Sequence, residues 1–240
     1  MKYGLQLYTI RDEITDGESF LRALERVKEI GYDGVEFAGY HGLTAAQINA
    51  KLKELGLTAL CTHEVIFRLE ENLDEIIAMA KELGLKYIGM SWSPCNSPEE
   101  VQHTLRVLDK AGAEIHKNGM ELVYHNHDHE FRDVEGVVPM NEISRNHCLE
   151  LDTFWSTVAG KDSPKFLEAH HDQVKLIHLK DGIVAERKPM ALGEGENDIQ
   201  GILHMAEKLG YEWVIVENDN PSPRGFDDIT RSMKYLKANP

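Results

Sequence analysis

The sequence predicts an α/β protein built as a single (β/α)₈ TIM barrel. A helix end, a glycine and a β-rich run recur five times, at 28–37, 53–60, 81–90, 116–125 and 207–217. Glycine after a helix adopts the left-handed conformation that ends it, so each copy marks a joint between a helix and a strand. Eight apolar strand-like runs are spread along the chain. Repeated βα units of this kind build parallel sheets.

The elements follow from these runs and joints in chain order. Strands are expected near 3–8, 33–37, 58–62, 86–90, 121–126, 148–152, 174–179 and 213–217. Helices are expected at 18–30, 44–55, 71–83, 98–118, 162–171, 198–209 and 226–237, with only a turn or two around 138–145. The helix at 98 shows the basis for a boundary, because Ser97 suits an N-cap and Pro98 suits the first turn.

Eight parallel strands favour closure into a barrel. A doubly wound open sheet is the alternative, but no glycine-rich phosphate fingerprint follows the first strand. The chain shows no linker, low-complexity tract or composition break. We therefore expect residues 1–240 to form one barrel domain.

Composition limits the classes of partner. The chain has 240 residues, 42% of them apolar, and its 26 basic and 41 acidic residues give a net charge of −15. Such a surface repels phosphate backbones and anionic membranes, so we expect no nucleic acid and no membrane partner. Three cysteines without metal spacing and a start without an apolar signal region favour a cytoplasmic protein. Barrels of this kind often pair, which leaves a homodimer open.

The carboxyl ends of the later strands carry groups that bind metal ions. Asp152, His178 and Glu217 each close an apolar run, and catalytic groups of such barrels lie at this end of the strands. Hard oxygen ligands with one imidazole suit Mn²⁺, Co²⁺, Fe²⁺ or Zn²⁺ better than Ca²⁺. The alternative, three unrelated loop residues, is less favoured because three consecutive strand tips share the pattern.

The fifth strand ends in the run His125-Asn126-His127-Asp128-His129-Glu130. Alternation places His125 and His127 on one face, while Glu130 lies on a loop that can fold back over the cup. One of these groups should complete the metal shell, and another should act as a base, since histidine titrates near working pH. A polar turn with incidental histidines is the alternative.

Four further side chains are candidates for the site. Lys180 follows His178 by two residues, so it can steady a substrate oxygen or pair with Asp181 at the surface. His63 ends the third strand and can bind a substrate hydroxyl, with a structural role as the alternative. Trp92 and Trp155 can stack on a sugar or cyclitol ring, with ordinary barrel packing as the alternative.

Seven segments together resemble the xylose-isomerase-like superfamily, and the resemblance covers essentially the whole chain. They are GLQLYTIRD, YDGVEFAGY, YHNHDHEF, LDTFW, HLKD, GEGENDI and VIVEND. The superfamily includes sugar phosphate isomerases and epimerases, inosose and dehydroshikimate dehydratases, and abasic-site endonucleases. The resemblance implies one divalent ion bound by side chains of strands five to eight.

The resemblance also implies roles for individual residues. Asp152, His178 and Glu217 match three ligands, while His125 stands where epimerases carry the first, a glutamate. We expect Glu130 to be the fourth ligand, with His125 as its rival. His127 looks like the catalytic histidine of some dehydratases. Trp155 stands where related ketohexose epimerases often bind substrate through a histidine, which argues against a plain ketohexose epimerase.

We therefore expect a metal-dependent isomerase or epimerase of a sugar, sugar phosphate or keto-cyclitol. It would abstract a proton next to a carbonyl, through an enediolate that the metal stabilises, with His127 or Glu217 as the base and His125 and Lys180 assisting. The ion is drawn from Mn, Co, Zn, Fe and Mg, with Mn or Zn favoured. The alternatives are a dehydratase, a metal-containing sugar-binding protein without turnover and, less favoured on charge, an abasic-site endonuclease.

Overall fold

The computed structural model describes residues 1–239 and confirms the predicted barrel. Eight parallel strands close in the order β1-β10-β7-β6-β5-β4-β3-β2. They are β1 (Lys2–Gln6), β2 (Gly34–Phe37), β3 (Thr58–Glu64), β4 (Tyr87–Met90), β5 (Glu121–His125), β6 (Cys148–Asp152), β7 (Val174–Leu179) and β10 (Trp213–Val216). Each strand other than the pair at the closure neighbours the next barrel strand in sequence, as repeated βα units require.

The helices surround the barrel. They are α1 (Gly17–Ile30), α2 (Ala45–Leu55), α3 (Ile66–Glu71), α4 (Leu73–Leu83), α5 (Pro98–Lys117), α6 (Pro139–Asn146), α7 (Thr153–Val158), α8 (Ser163–Ala169), α9 (Ile199–Lys208) and α10 (Gly225–Ala238). Gly56 and Gly84 follow α2 and α4 at φ 64° and 70°, the left-handed backbone that the repeated joint predicted. Among the helices of residues 1–239, none is both long and apolar enough to cross a bilayer.

Several short elements were not predicted. The first strand was expected to reach residue 8, but it ends at Gln6, whose side chain accepts a hydrogen bond from the amide of Tyr8 and starts a 3₁₀ helix, Leu7–Glu13. Another is a hairpin of β8 (Asp181–Ile183) and β9 (Lys188–Met190), which pair antiparallel after β7. A strong local hydrogen bond or a three-residue strand leaves little periodic signal.

The barrel interior changes from apolar to polar toward the carboxyl ends of its strands. Its lower layer is a buried apolar cluster of Leu60, Cys61, Val123, Leu176 and Ile215. Two residues further along the same faces stand His63, His125, His178 and Glu217. Because side chains of a strand alternate, this offset of two places the polar groups directly above the apolar layer. The apolar layer therefore closes the floor of a polar cup.

Candidate metal centre

Four strand tips bring two imidazoles and two carboxylates together at the barrel mouth. They come from His125 on β5, Asp152 on β6, His178 on β7 and Glu217 directly after β10. One ligand atom from each lies within 4.8 Å of the others, and all four side chains are buried. The register explains the approach, since Asp152 pairs with His178 and Ile215 pairs with His178 across neighbouring strands.

The donor set fits a divalent ion. Nδ1 of His125 is buried without a hydrogen-bonding partner, and Oδ2 of Asp152 has only the ion pair with Nζ of Lys180 at 2.9 Å. Leaving buried polar atoms without a partner costs about 1–3 kcal/mol each, and a cation removes that cost. Two carboxylates with two imidazoles suit Mn²⁺, Fe²⁺, Co²⁺ or Zn²⁺. This group is therefore the one in which an ion fits best.

His178 stands at the centre of a carboxylate network. Its Nδ1 lies 3.0 Å from Oε2 of Glu217, and its Nε2 lies 2.9 Å from Oε1 of Glu36 and 3.2 Å from Oε1 of Glu150. Burial alone would lower the pKa of His178, but the charges of Glu150, Glu36 and Glu217 raise it well above the usual value. A metal ligand must be a neutral imidazole, so an ion and a proton compete for this ring.

The deeper layer of the cup holds Glu36, Glu150 and His63. Nε2 of His63 contacts Oε2 of Glu150 and lies 3.0 Å from Oε1 of Glu36. Burial would lower the pKa of His63, but these two carboxylates raise it to about 10, so its charge is paired within the layer. The ring fits because β4 carries Gly89, where a Cβ would lie 2.7 Å from Cδ2 of His63.

Sequence reasoning missed the role of Glu150, although alternation held the signal. Glu150 and Asp152 point to the same face of β6, so an acid two residues before a ligand predicts a second acid beneath it. Glu150, His63, His125 and His178 form a second group with ligand atoms within 4.8 Å. His63 therefore belongs to the support beneath the strand tips as well as to the cavity above it.

Lys180 is fully buried among three carboxylates. Its Nζ lies 2.9 Å from Oδ2 of Asp152 and 2.8 Å from both Oε2 of Glu217 and Oδ2 of Asp219. Burial would lower the pKa of Lys180, but these acids raise it well above the usual value, so the ammonium is charged. The interpretation of a surface pair with Asp181 is wrong, because Asp181 is buried and its carboxylate accepts hydrogen bonds from backbone amides.

Glu130 lies apart from the candidate metal group of His125, Asp152, His178 and Glu217. A 3₁₀ turn, His129–Phe131, directs its carboxylate to the hydroxyl of Tyr124 at 2.8 Å and to the amide of His127 at 2.9 Å. Glu130 thus falls in a different group, with His127 and His129. The loop does fold back, but it folds back behind β5, and His125 fills the position beside Asp152.

His127 faces the cavity above the four strand tips. Its ring centroid lies 5.1 Å from that of His125 and 6.0 Å from that of Trp155. Burial, with smaller contributions from His125 and Lys180, lowers the pKa of His127 to about 2. The ring is therefore neutral at pH 7, and its buried Nδ1 takes part in no hydrogen bond.

A cavity of about 580 Å³ opens over the candidate metal group. Its walls are Tyr8, Ala38, His63, Val65, Ser91, Trp92, His125, His127, Glu217 and Asp219. Trp92 is 46% exposed at the rim, as stacking on a ligand requires. Trp155 packs behind the wall, where its Nε1 donates to Oδ2 of Asp219 at 3.0 Å. Of the two tryptophans, only Trp92 is part of the cavity wall.

Comparisons with known proteins agree with this architecture. A family model described as xylose isomerase-like TIM barrel matches residues 24–239. An inosose dehydratase of Mesomycoplasma hyopneumoniae is 24% identical over 267 aligned positions, which cover 92% of this chain and 88% of that protein. A crystal structure of a sugar phosphate isomerase/epimerase from Parabacteroides distasonis superposes with a TM-score of 0.84 at 20% identity, covering 100% of this chain and 94% of that one. The probable 3-DHS dehydratase of Bacillus anthracis gives 0.81 at 15% identity, with 99% of both chains covered.

Proposed function

The chain belongs to the xylose isomerase-like TIM barrel family, and from this premise we propose that it is a divalent-metal-dependent isomerase or epimerase of a keto-sugar or keto-cyclitol. The family and its structural neighbours include isomerases, epimerases and dehydratases. One observation carries the proposal: four ligand atoms from four strand tips converge beneath a cavity whose wall also holds a neutral histidine.

His125, Asp152, His178 and Glu217 would hold the ion. When bound, a divalent ion polarises a substrate carbonyl as a Lewis acid and makes the neighbouring carbon-bound proton more acidic. The charge of Lys180 favours the ionised forms of Asp152 and Glu217, and its three carboxylate contacts hold it below the cavity. Its role is therefore electrostatic, and it leaves the substrate oxygens to other groups.

His127 is the base that this geometry favours. The imidazole is neutral and lines the cavity, so the ring can take a proton from the substrate carbon. Return of that proton to the adjacent carbon gives isomerisation, and return to the opposite face of the same carbon gives epimerisation. Glu217 is the second candidate for either transfer, because it lines the cavity on the opposite side of the barrel mouth.

A dehydratase is the second candidate function. Relatives that are inosose dehydratases cover most of the chain, although at 24% identity. The first step is the same removal of a carbon-bound proton, and a β-hydroxyl then leaves as water after it takes a proton. His127 can supply that proton, because it holds the one taken from carbon.

The test is proton exchange in deuterated water. The purified protein is stripped with a chelator, reloaded separately with Mn²⁺, Co²⁺, Zn²⁺, Fe²⁺ or Mg²⁺, and incubated with keto-sugars and keto-cyclitols. We expect deuterium on the carbon next to the carbonyl with at least one ion, and none in the stripped protein. Mass spectrometry of the recovered compounds measures it. Absence of exchange with every ion would contradict the proposal.

Three variants assign the roles. We expect Asp152→Asn to lose bound metal and exchange together, whereas His127→Gln should keep the metal and lose exchange by about 10²–10⁴-fold, the usual contribution of a general base. His103→Gln is the matched control, since His103 lies exposed on α5 outside the cavity. If the His127→Gln variant showed normal exchange, His127 would not be the base and Glu217 would remain as the candidate.

A further inference from the structure

We propose that the cavity selects neutral, unphosphorylated polyhydroxy substrates and that Asp219 is the residue that enforces this choice. The inference rests on the proposed function, because it concerns the substrate of the same site. It separates uncharged keto-sugars and keto-cyclitols from sugar phosphates and sugar acids. Asp219 lies on the loop after β10, two residues beyond Glu217.

The wall of the cavity carries acids and no strong base. Among its ten residues, within the described chain, there is no lysine and no arginine, while Glu217 and Asp219 contribute carboxylates. A phosphate group needs cationic or amide donors at close range. Here it would instead lie beside the carboxylates of Glu217 and Asp219, which repel it.

The cations near the cavity are already engaged. Lys180 contacts three carboxylates. Arg187 donates from two nitrogens to the carboxylate of Asp128, at 2.6 and 2.7 Å. The charge of His63 is paired with Glu36 and Glu150. An anionic substrate would have to break one of these pairs to gain a counter-charge.

Of the cations near the cavity, Arg11 is the one that donates only to backbone oxygens. It donates to the backbone oxygens of Tyr8 and Asp219, and its guanidinium lies 4.1 Å from the centre of the Tyr8 ring. Arg11 is outside the cavity wall, which the Tyr8 ring forms in its place. The guanidinium of Arg11 packs against the Tyr8 ring from outside the cavity, so the interior of the cavity stays acidic.

Binding of a divalent ion leaves the site without surplus positive charge. Asp152, Glu217 and Asp219 carry three negative charges, and Lys180 with one divalent ion carries three positive charges. The deeper layer adds the two carboxylates of Glu36 and Glu150 against the one charge of His63. A neutral substrate preserves this balance, whereas a phosphate dianion adds two negative charges that none of these groups neutralises.

The rest of the cavity suits a neutral ring. Tyr8 and Trp92, 43% and 46% exposed, offer apolar ring faces at the rim. One oxygen of Asp219, Oδ2, accepts hydrogen bonds from Lys180 and Trp155. Within residues 1–239 no hydrogen bond reaches its other oxygen, which is therefore free to accept one from a substrate hydroxyl. Convergent polar groups set in apolar walls are typical of small-ligand sites.

The experiment compares matched probes that differ by one charged group. Calorimetry on the Mn²⁺-loaded protein measures the affinity for D-fructose against D-fructose 6-phosphate, and for a neutral inosose against an inositol phosphate. We expect the neutral member of a pair to bind at least about tenfold more tightly. The Asp219→Asn variant should reduce that ratio at least about fivefold, mainly by tighter binding of the phosphorylated probe. Asp227→Asn, an exposed acid on α10, is the control.

Equal or tighter binding of the phosphorylated member would overturn the inference. If Arg11→Met then lost that binding, Arg11 would be the residue that binds the phosphate group. Failure of both neutral probes to bind would also overturn it. These outcomes are independent of the proposed function, which depends on deuterium exchange. A protein that exchanges deuterium into a sugar phosphate keeps the proposed reaction and loses the inferred selectivity.

Discussion

At the scale of single residues, Lys180 shows what a strand pattern can and cannot reveal. The offset of two from His178 correctly places Lys180 on the cup face. Its partners come from other strands and from the loop after β10, so no local pattern names them. The ammonium lies among Asp152, Glu217 and Asp219, where it partly neutralises a group of carboxylates that would otherwise repel one another.

Replacing Lys180 tests this role. Lys180→Met keeps the volume of the side chain but leaves three carboxylates without their counter-charge. We expect the free energy of unfolding in EDTA to fall by about 3–5 kcal/mol, the usual cost of removing one partner of a buried ion pair. Added Mn²⁺ should restore part of the loss, because the ion supplies positive charge to the same carboxylates.

Urea unfolding followed by circular dichroism measures both effects. Lys188→Met, at an exposed position of β9, is the matched control and should change stability by less than about 0.5 kcal/mol. An unfolding midpoint for Lys180→Met equal to that of the unaltered protein in EDTA would show that Lys180 does not offset these carboxylates.

The sequence predicts the positions of some site residues from the strand they end, whereas others depend on contacts between distant residues. Asp152, His178 and Glu217 close apolar runs, and their position at the carboxyl ends of the strands predicted that they face one cup. Whether His125 or Glu130 stands beside them depends on the turn after β5, which follows from the hydrogen bonds of Glu130 to Tyr124 and to the His127 amide. A sequence pattern cannot resolve such a turn, so which of these two binds metal stays a prediction, and the geometry favours His125.

At the scale of elements, glycine at helix ends carried most of the fold prediction. Gly84 ends α4 at φ 70°, and its missing side chain would contact nothing within 4 Å. Its role is therefore conformational. Gly112, inside α5, has ordinary helical geometry, and a Cβ there would meet Leu122 at 3.9 Å, a normal contact.

The two glycines should respond oppositely to alanine. Gly84→Ala places a side chain in the left-handed region, and we expect it to lower stability by about 1–2 kcal/mol. Gly112→Ala removes the entropic penalty of glycine in a helix, and we expect a gain of about 1 kcal/mol. Urea midpoints at pH 7 decide the matter. A loss in Gly112→Ala would mean that the contact with Leu122 outweighs the helical preference there, and an unchanged Gly84→Ala would contradict the conformational role of Gly84.

The elements that escaped prediction share a physical cause. The 3₁₀ helix after β1 depends on one hydrogen bond from the Tyr8 amide to Gln6. The β8–β9 hairpin has only three residues in each strand. Periodicity needs several residues before it rises above chance, so long helices and apolar strands are predictable and such short pieces are not.

At the scale of the whole molecule, the two ends of the chain complete the barrel. β1 pairs with β10, and α10 packs near the 3₁₀ helix that follows β1. Asp228 on α10 accepts a hydrogen bond from Asn218 at 2.8 Å and so ties the last helix to the end of β10, beside the candidate metal group. Closure is predictable from eight repeated units, whereas this tie depends on two distant residues.

Asp228 gives the closure a pH dependence. Burial raises the pKa of Asp228 from 3.8 to about 6, since Arg231, the Ser222 amide and Asn218 only partly offset it. Between these two values the folded chain binds more protons than the unfolded chain, so this carboxyl lowers stability as pH rises through the window. We expect Asp228→Asn to gain about 2 kcal/mol relative to the unaltered protein between pH 4.5 and pH 8.

Urea unfolding at the two pH values in EDTA measures that difference, because other titrating groups are common to both proteins. Asp227→Asn, at the exposed neighbouring position, should show no such trend. A gap between Asp228→Asn and the unaltered protein that stays constant with pH would remove Asp228 as the titrating group.

Hydrogen bonds from four backbone amides to the Asp181 carboxylate fix the segment that follows the β8–β9 hairpin. The carboxylate accepts from the amides of Gly182 and Asn197 through Oδ1, and from those of Gly193 and Gly195 through Oδ2, at 2.8–3.0 Å. Because four hydrogen bonds reach one buried carboxylate, the 193–197 segment is held in one position. The 193–197 segment is not part of the cavity wall, so a small molecule that enters the cavity meets the exposed aromatic faces of Tyr8 and Trp92 instead.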